Sequence, residues 1–497
     1  MLLHSPLIRI QSTICVTGTA LSVFALVQIV QGDLLPALAQ DLPPTKQGPA
    51  APSADDLQER VRSLERTVED MKKERETPKA GDRTASPEIG PSRPTAGTST
   101  TVPEHEREHR LLNANAYAAA RLDNAPFDPE LRGFFMIPGT QSMLRLGGFA
   151  RTDLIHDFQP AGNNSMFVTS SIPTGPNPGN DSTSMSIVPS RLSLEFRNNS
   201  SVGGPMRIYY ENDFANNPNN TPAFRLRHFY GQWSNVLVGQ TWSAFQDPDA
   251  FPDTVDFKGP NAMTFRLQPL IRYTHAINKE NNIALSVEQP GTEASGTVNT
   301  PTGPVAVTPT TPIPDFVLKY RYEESRFHIQ NSWLFRSLGG FVGSATENQV
   351  LGWGGMLSVA GTVYKKDILI AQGNFGEGTG RYINDLNAGS GTDVGFASPG
   401  GLKALPTYGG FVSYQHHWDE RWRSSATYGY LRVNQANSAL ATDFKETQYA
   451  EGNLMFRPGK GFTIGAALLY GQHVVADGSR ADVFRLNFVF QYDLVDI

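Results

Sequence analysis

Hydrophobic and polar residues alternate along much of the chain from residue 143 onward. Leu146 and Leu154 occupy one set of alternate positions, whereas Arg151 and Asp153 occupy the other. A period of two residues is typical of β-strands with one apolar face and one polar face. The pattern alone also suits a soluble β-sandwich with one face in water.

The number and length of these segments favour a membrane barrel over a sandwich. Many of them have the roughly ten residues that a tilted membrane strand needs. Sixteen strands are predicted, at 144–157, 186–198, 206–214, 224–233, 236–245, 263–275, 282–289, 314–322, 326–338, 349–364, 367–376, 405–418, 422–433, 444–457, 462–472 and 481–492.

The connections between the predicted strands alternate between long and short. Residues 158–185, 246–262 and 377–404 are long connections, whereas 234–235 and 365–366 are two-residue turns. Long loops at one rim and tight turns at the other are typical of outer-membrane barrels. An even strand number places both ends of the barrel on the tight-turn, periplasmic side.

Tyrosine and tryptophan recur near the ends of the predicted strands, where amphipathic rings favour the membrane–water interface. Barrel closure also leaves no strand edge unpaired in lipid. The predicted fold is therefore all-β: a 16-stranded antiparallel transmembrane β-barrel over 143–497. An N-terminal periplasmic α-helical coiled-coil extension precedes it.

The first 39 residues are typical of a signal peptide. Arg9 precedes an apolar run over 14–30, and Ala37-Leu38-Ala39 fits the small-residue cleavage pattern. An uncleaved anchor helix is the alternative. Residues 40–54 are rich in Pro and Ala and are predicted to be disordered.

A heptad pattern over 55–76 predicts a coiled-coil helix, and a lone amphipathic helix packed on the same chain is the alternative. A Pro/Thr/Ser-rich linker over 77–103 and a helical lead-in over 104–142 follow. The apolar seam of the helix consists of Leu57, Val61, Leu64, Val68 and Met71.

The composition of the 497-residue chain excludes several other classes. Charged residues make up 18%, below the roughly 25% of soluble domains. Mean hydropathy is −0.33 and the single long apolar run is N-terminal, which excludes a helical membrane protein. A pI near 6.0 argues against a nucleic-acid partner. The one cysteine, Cys15, lies in the predicted signal peptide, so no disulfide framework is expected.

No catalytic motif such as HExxH or GxSxG occurs, so no enzyme activity and no catalytic residue are predicted. No metal site and no cofactor are predicted either. Function then depends on what narrows the channel and which charges line it.

Arginines dominate the predicted lumen. Nine arginines but one lysine, Lys258, lie between residues 145 and 272. A guanidinium presents a planar fork that matches a carboxylate, so a ladder of them would attract anions. The predicted solute path consists of Arg151, Arg191, Arg225, Arg227, Arg266, Arg272 and Arg321, with Lys319 as a secondary candidate.

A structural role for the arginines is the alternative, because carboxylates share the polar face of the same strands. Both roles are expected. Arg197 with Glu195 and Arg207 with Glu211 are predicted as structural pairs.

Loop 246–262 is the predicted constriction, since its aromatic rings favour folding inward over exposure to water. An ordinary surface loop is the alternative. Its candidate residues are Asp247, Asp249, Phe251, Asp253 and Asp256.

Four segments resemble the DcaP-like porin family: LRLGGFARTD at 144–153, PSRL at 189–192, GQTWS at 239–243 and QPLIRY at 268–273. The resemblance implies a homotrimeric 16-stranded porin with a periplasmic coiled coil. It also implies an arginine-rich constriction that favours anionic solutes, including dicarboxylates and aromatic acids. Arg151, Arg191 and Arg272 are the matching positions.

The predicted function is facilitated diffusion of small anionic organic solutes across the outer membrane of a Gram-negative bacterium. A non-selective or cation-preferring porin is one alternative. A structural barrel that contacts the cell wall through its coiled coil is another. Expected partners are two further copies of the chain, outer-membrane lipid and lipopolysaccharide, and the solutes.

Overall fold

The computed structural model describes residues 133–494, except 177–178, 199–205, 216, 218–220, 295–296, 301–302, 343–347, 388–391, 398–400 and 438. The predicted signal peptide, disordered segment, coiled-coil helix and linker lie outside the described residues, as does most of the lead-in.

Antiparallel strands make up most of the described chain. The strands are β1 (Phe134–Met136), β2 (Ser142–Asp157), β3 (Ser182–Ser186), β4 (Arg191–Asn198), β5 (Met206–Asp213), β6 (Arg225–Trp233), β7 (Val236–Trp242), β8 (Leu267–Ala276), β9 (Asn281–Glu288), β10 (Thr297–Thr300), β11 (Gly303–Thr310), β12 (Asp315–Glu323), β13 (Phe327–Val342), β14 (Asn348–Tyr364), β15 (Asp367–Glu377), β16 (Val394–Ala397), β17 (Gly401–Ala404), β18 (Pro406–His417), β19 (Trp422–Val433), β20 (Phe444–Gly459), β21 (Phe462–Val475) and β22 (Arg480–Asp493). Short 3₁₀ helices span Thr169–Ser171, Pro248–Ala250 and Gly380–Tyr382.

The strands close into a 16-stranded antiparallel barrel, which confirms the predicted fold. Strand β2 pairs with β22 from Phe149↔Asp493 to Asp157↔Arg485, and this pairing closes the sheet. On its other edge β2 pairs first with β4 and then with β3, which together occupy one position in the wall. None of the described helices is long and apolar enough to cross a membrane.

Alternate side chains along the strands point to the outer surface and to the interior of the barrel, as the two-residue period predicts. Leu146 and Leu154 on β2 are exposed on the outer surface, whereas Arg151 and Asp153 on the same strand are buried inside. Lipid favours the apolar face, so the charged face must turn toward the lumen.

Each of the sixteen predicted strands has a counterpart, but the second is interrupted. Residues 187–190 form a turn between β3 and β4, in which the Ser190 amide donates to the carbonyl of Ile187 (3.0 Å). Pro189 has no N–H to donate to the ladder. The Ser190 hydroxyl bonds both the N–H and the carbonyl of Arg151 (2.9 and 3.0 Å), so a side chain replaces the missing ladder bonds.

The described part of the predicted helical lead-in over 104–142 contains a strand. Strand β1 pairs with the start of β2, from Phe134↔Arg145 to Met136↔Met143. The ring of Phe134 lies 5.1 Å from the guanidinium carbons of both Arg145 and Arg197. These contacts hold the segment as a strand. The hairpins β10–β11 and β16–β17, within predicted long loops, are also strands that the sequence did not predict.

The hydrophobic core lies inside the barrel, where inward-folded loops meet the wall. Phe167 and Val255 from two loops pack with Tyr449 and Val489 of the wall. Phe251 of the second of these loops packs with other wall residues in a separate cluster. The lumen is therefore partly filled by loops.

Gly148 occupies a position that other residues would strain. Its φ is +126°, and a Cβ there would lie 2.2 Å from the Arg191 carbonyl oxygen. We expect Gly148→Ala to lower the free energy of unfolding by about 1–3 kcal/mol, as measured by urea titration of the detergent-solubilised protein. Gly231→Ala is the matched control, because a Cβ at Gly231 meets nothing within 4 Å. Equal losses in the two variants would contradict the assignment.

Candidate functional site

Residues 243–266, which we call the second lumen loop, lie inside the barrel and include the predicted constriction 246–262. Near its start, Asp247 accepts bonds from Arg321 (3.0 Å) and Ser358 (2.5 Å) and lies 2.8 Å from His328 Nε2. Asp249 pairs with the same arginine (2.7 Å). Burial alone would raise the pKa of Asp247, but His328 and Arg321 outweigh it and hold that pKa below its usual range.

The other part of the loop reaches a different side of the wall. Asp253 pairs with Arg423 of β19 (2.5 Å), and the Val255 amide donates to Glu451 of β20 (2.6 Å). Arg151 of β2 donates to the Val255 carbonyl oxygen (2.5 Å). The loop is thus anchored to β12–β14 at one end and to β2, β19 and β20 at the other, so it crosses the lumen.

Two further loops pack on this crossing. They are residues 158–176, the first lumen loop, and residues 378–387, the third lumen loop. In the first lumen loop, the Phe167 amide donates to Asp256 of the second lumen loop (3.0 Å). The Thr169 hydroxyl, also in the first loop, donates to Asp385 of the third lumen loop (2.7 Å). Burial raises the pKa of Asp256 to about 6, and burial also raises the pKa of Asp385. The two carboxyls therefore join all three loops.

Three of the predicted solute-path arginines form a buried tier. Arg151, Arg191 and Arg227 are each less than a tenth exposed, and their guanidinium carbons lie 5.8, 5.4 and 6.0 Å from the ring of Phe257. Their carboxylate contacts are 2.6 Å for Arg151 to Asp153, 2.6 Å for Arg227 to Glu211 and 3.4 Å for Arg191 to Glu211. These three arginines hold the wall against the second lumen loop.

The structure brings the predicted structural pairs together in part. Arg197 pairs with Glu195 (2.7 Å), as expected. Arg207 also forms an ion pair with Glu195 (2.7 Å), because the β4–β5 register places Arg207 directly opposite Arg197. Glu211, the partner suggested for Arg207, binds Arg191 and Arg227.

The remaining predicted candidates differ in exposure. Arg321 and Arg272 are buried, and Lys319 is buried on β12. Arg225 binds Asp213 through two nitrogens (2.8 and 2.6 Å) but keeps 26% of its side chain exposed. Arg266 is half-buried, and its Nε donates to the amide oxygen of Gln268 (3.3 Å).

Two cations that the sequence analysis did not assign to the path adjoin Arg225 and Arg266. Lys258 interacts electrostatically with Arg225, and Arg381 does so with Arg266. The Lys258 ammonium lies 5.6 Å from the ring centre of Phe265, which precedes Arg266 in the chain. We call Arg225, Lys258, Arg266 and Arg381 the cationic group. Its members come from one strand and two loops, and no local pattern marks that juxtaposition.

The loop members of the cationic group are held by weak partners. Lys258 donates to the Asn387 amide oxygen (3.3 Å), and the carboxylate of Glu293 lies 4.0 Å from Arg381. Burial lowers the pKa of Lys258 to about 8, and burial together with Arg381 lowers the pKa of Arg266 to about 10. Both shifts indicate positive charge that the protein compensates incompletely.

A closed 16-stranded barrel whose lumen is narrowed by loops and lined by cations defines an outer-membrane channel. The family model of the DcaP outer membrane protein matches residues 135–494, and the chain belongs to that family. Among the residues that the structure describes, no three His, Cys, Asp or Glu side chains converge as a metal site would require.

Several solved structures are similar to this chain. The outer membrane channel DcaP of Acinetobacter baumannii is 19% identical with a TM-score of 0.62, over 72% of this chain and 99% of that chain. An anion-selective porin from Comamonas acidovorans is 8% identical with a TM-score of 0.46, over 71% of this chain and 100% of that one. The trimer form of OmpT from Vibrio cholerae is 10% identical with a TM-score of 0.43, over 71% of this chain and 99% of that one. No curated protein matches the chain.

Titration of Lys258 should change the charge of the channel near neutral pH. Because its pKa is lowered to about 8, raising the pH from about 7 to about 9 removes most of its positive charge. We expect the chloride-to-potassium permeability ratio, measured from reversal potentials in a planar bilayer, to fall over that range. Lys258→Arg should keep the ratio constant, and Lys258→Gln should show the lower ratio throughout. An unchanged titration in Lys258→Gln would refute the assignment.

Proposed function

We propose that this outer-membrane channel passes small anionic organic solutes, dicarboxylates and aromatic acids among them, by facilitated diffusion. The observation that carries the proposal is the cationic group. Within the described part of the chain, its loop members contact amides and a distant carboxylate rather than close ion pairs. A cation of that kind can bind an entering carboxylate and release it again, which conduction requires. The proposal assigns solute contact to Arg225, Lys258 and Arg266, whereas Arg381 is buried and adds its charge beside Arg266.

The buried tier acts on the same path indirectly. Arg151, Arg191 and Arg227 fix Phe257 and the crossing loop against one wall, and their charge adds to the positive field of the lumen. Arg272 and Arg321, both buried, are assigned the same supporting role. The predicted path is thereby divided into two partly exposed contact arginines and five buried supporting ones.

A cation-preferring porin would need free carboxylates in the constriction loop, and the loop acids do not fit that requirement. Asp247 and Asp249 share Arg321, and Asp253 binds Arg423. Burial raises the pKa of Asp256 to about 6, so it carries less negative charge than a free aspartate in mildly acidic water.

We further propose that the channel is a homotrimer and that residues 55–76 form its periplasmic coiled coil, with the N-terminal extension in the periplasm. The apolar seam from Leu57 to Met71 supports a parallel helical bundle, because association of the barrels would already bring the helices of the chains together. A tether to the cell wall is the second candidate for this segment. Removing residues 55–76 separates the two, since a tether predicts loss of envelope integrity at unchanged conductance.

Single-channel recording under a salt gradient tests the anion path. We expect anion preference in the wild type and interruption of the current by an added dicarboxylate. Arg266→Gln should weaken that block about tenfold, as expected for the loss of one charge-assisted hydrogen bond of roughly 1.5 kcal/mol.

Arg432→Gln is the matched control for the anion path. It removes the same charge from the outer face of β19, where Arg432 pairs with Glu446 (2.9 Å), and should leave block and selectivity unchanged. Cation preference in the wild type, or equal loss of block in both variants, would overturn the proposal.

A further inference from the structure

A carboxylate that the sequence analysis did not single out lies beside two arginines of the cationic group. Glu293 is in the connection between β9 and β10, and its Oε1 lies 4.0 Å from Nη1 of Arg381. It also interacts electrostatically with Arg266, which the proposed function places in contact with solute. Of these three side chains, Glu293 and Arg266 are partly exposed and Arg381 is buried. An anion that reaches Arg266 therefore meets the charge of Glu293.

The backbone of Glu293 is held in place by Asp393, a buried residue. The Glu293 N–H donates to Asp393 Oδ2 (2.8 Å), and the Asp393 N–H donates to the Glu293 carbonyl oxygen (2.9 Å). The other carboxylate oxygen of Asp393 accepts the backbone N–H of Arg381 (2.9 Å) and pairs with Arg336 (2.9 Å). One buried carboxylate thus fixes the main chain of both Glu293 and Arg381, so the two side chains stay next to each other.

The guanidinium group of Arg381 lies against the main chain at Gly291. A Cβ at that position would overlap the guanidinium, so a larger residue would displace the arginine. Nη2 of Arg381 and Nε of Arg266 both donate to the amide oxygen of Gln268 (3.4 and 3.3 Å). Within the described residues, Nε of Arg381 is buried without a hydrogen-bond partner. The two guanidinium groups are therefore close together and share one weak, neutral acceptor.

Glu293 neutralises this arginine pair only in part. Its nearest approach to Arg381, 4.0 Å, is longer than a hydrogen bond. Burial raises the pKa of Glu293 and the charge of Asp393 raises it further, so the nearby arginines do not outweigh the cost of holding the Glu293 carboxylate ionised. A carboxylate held this loosely can give up the arginines to another carboxylate and approach them again when the other one leaves.

We propose that Glu293 is a resident competitor of the solute: its carboxylate competes with that of an entering anion for Arg266 and Arg381, and so shortens the time that the anion stays bound. The inference deepens the proposed function and rests on it. Glu293 repels a dianion about twice as strongly as a monoanion, because the Coulomb energy is proportional to the product of the charges. It therefore limits how tightly the channel holds dicarboxylates, and their release stays fast enough for conduction.

The test measures the residence times of succinate and of propionate in single-channel recordings of the full-length protein at neutral pH. Glu293→Gln keeps the size of the side chain and removes its charge. In this variant we expect succinate to stay bound about ten times longer and propionate about three times longer. The chloride-to-potassium permeability ratio, measured from reversal potentials, should rise as well. Adding Arg266→Gln should remove most of the gain, because it removes one of the two cations for which the carboxylates compete.

Glu446→Gln is the matched control, because it removes the same charge from the outer face of β20, where Glu446 pairs with Arg432 (2.9 Å). It should leave both residence times unchanged, and a gain equal to that of Glu293→Gln would contradict the proposal. An unchanged or shorter stay of succinate in Glu293→Gln would overturn it, and the shorter stay would identify a residue that only positions Arg381. Equal gains for succinate and propionate would also overturn it, since charge would not be the cause.

The permeability ratio separates this inference from the proposed function. If succinate does not block the wild type, the proposed anion path fails, but the charge of Glu293 still acts on chloride. A higher chloride-to-potassium ratio in Glu293→Gln would then support the competition for Arg266 and Arg381, and an unchanged ratio would refute it. If succinate blocks the wild type and Arg266→Gln weakens the block, an unaltered Glu293→Gln channel would refute this inference alone.

Discussion

The pairing of β2 with β22 is the constraint on which the rest of the structure depends. Lipid supplies no hydrogen bonds, so a sheet can cross it only when the first and last strands satisfy one another. Closure also fixes which alternate residues face the lumen. Once Leu146 and Leu154 contact lipid, Arg151 and Asp153 must face inward, and every charge on that side needs a partner or water.

The crossing loop follows from that requirement. Sixteen strands enclose more space than their own side chains fill, and some lumen charges find a partner on chain that enters from the loops. Asp247 pairs with Arg321, and Asp253 pairs with Arg423, so the second lumen loop neutralises charges on distant strands. The Asp247–Arg321 pair is buried, so removing one partner would leave the other charge unpaired, and this contact holds the loop in position. Apolar residues such as Phe251 then complete a core that the barrel wall alone could not form.

Sequence reasoning predicted what depends on local periodicity. The strand positions, the inward face of the arginines and the inward course of residues 246–262 all follow from alternation, turn residues and aromatic content. It could not predict contacts that depend on register between distant segments. Arg207 lies on Glu195 because of the β4–β5 register, and Arg381 meets Arg266 through two loops that are more than a hundred residues apart. The sequence did not predict strand β1, because three residues are too few to show a two-residue period.

The division between buried and half-exposed cations limits which residues can contact a solute. Arg227 is buried with Glu211 at 2.6 Å and Asp213 at 3.2 Å, so an entering carboxylate would have to displace two native partners. Lys258 and Arg266 have neutral amides as hydrogen-bond partners at 3.3 Å, and a carboxylate replaces an amide at little cost. A site that conducts must bind weakly enough to release, and a partly compensated cation satisfies both conditions. The abundance of arginine in the sequence therefore overstates the number that touch solute, because most of that charge stabilises the barrel and its crossing loop.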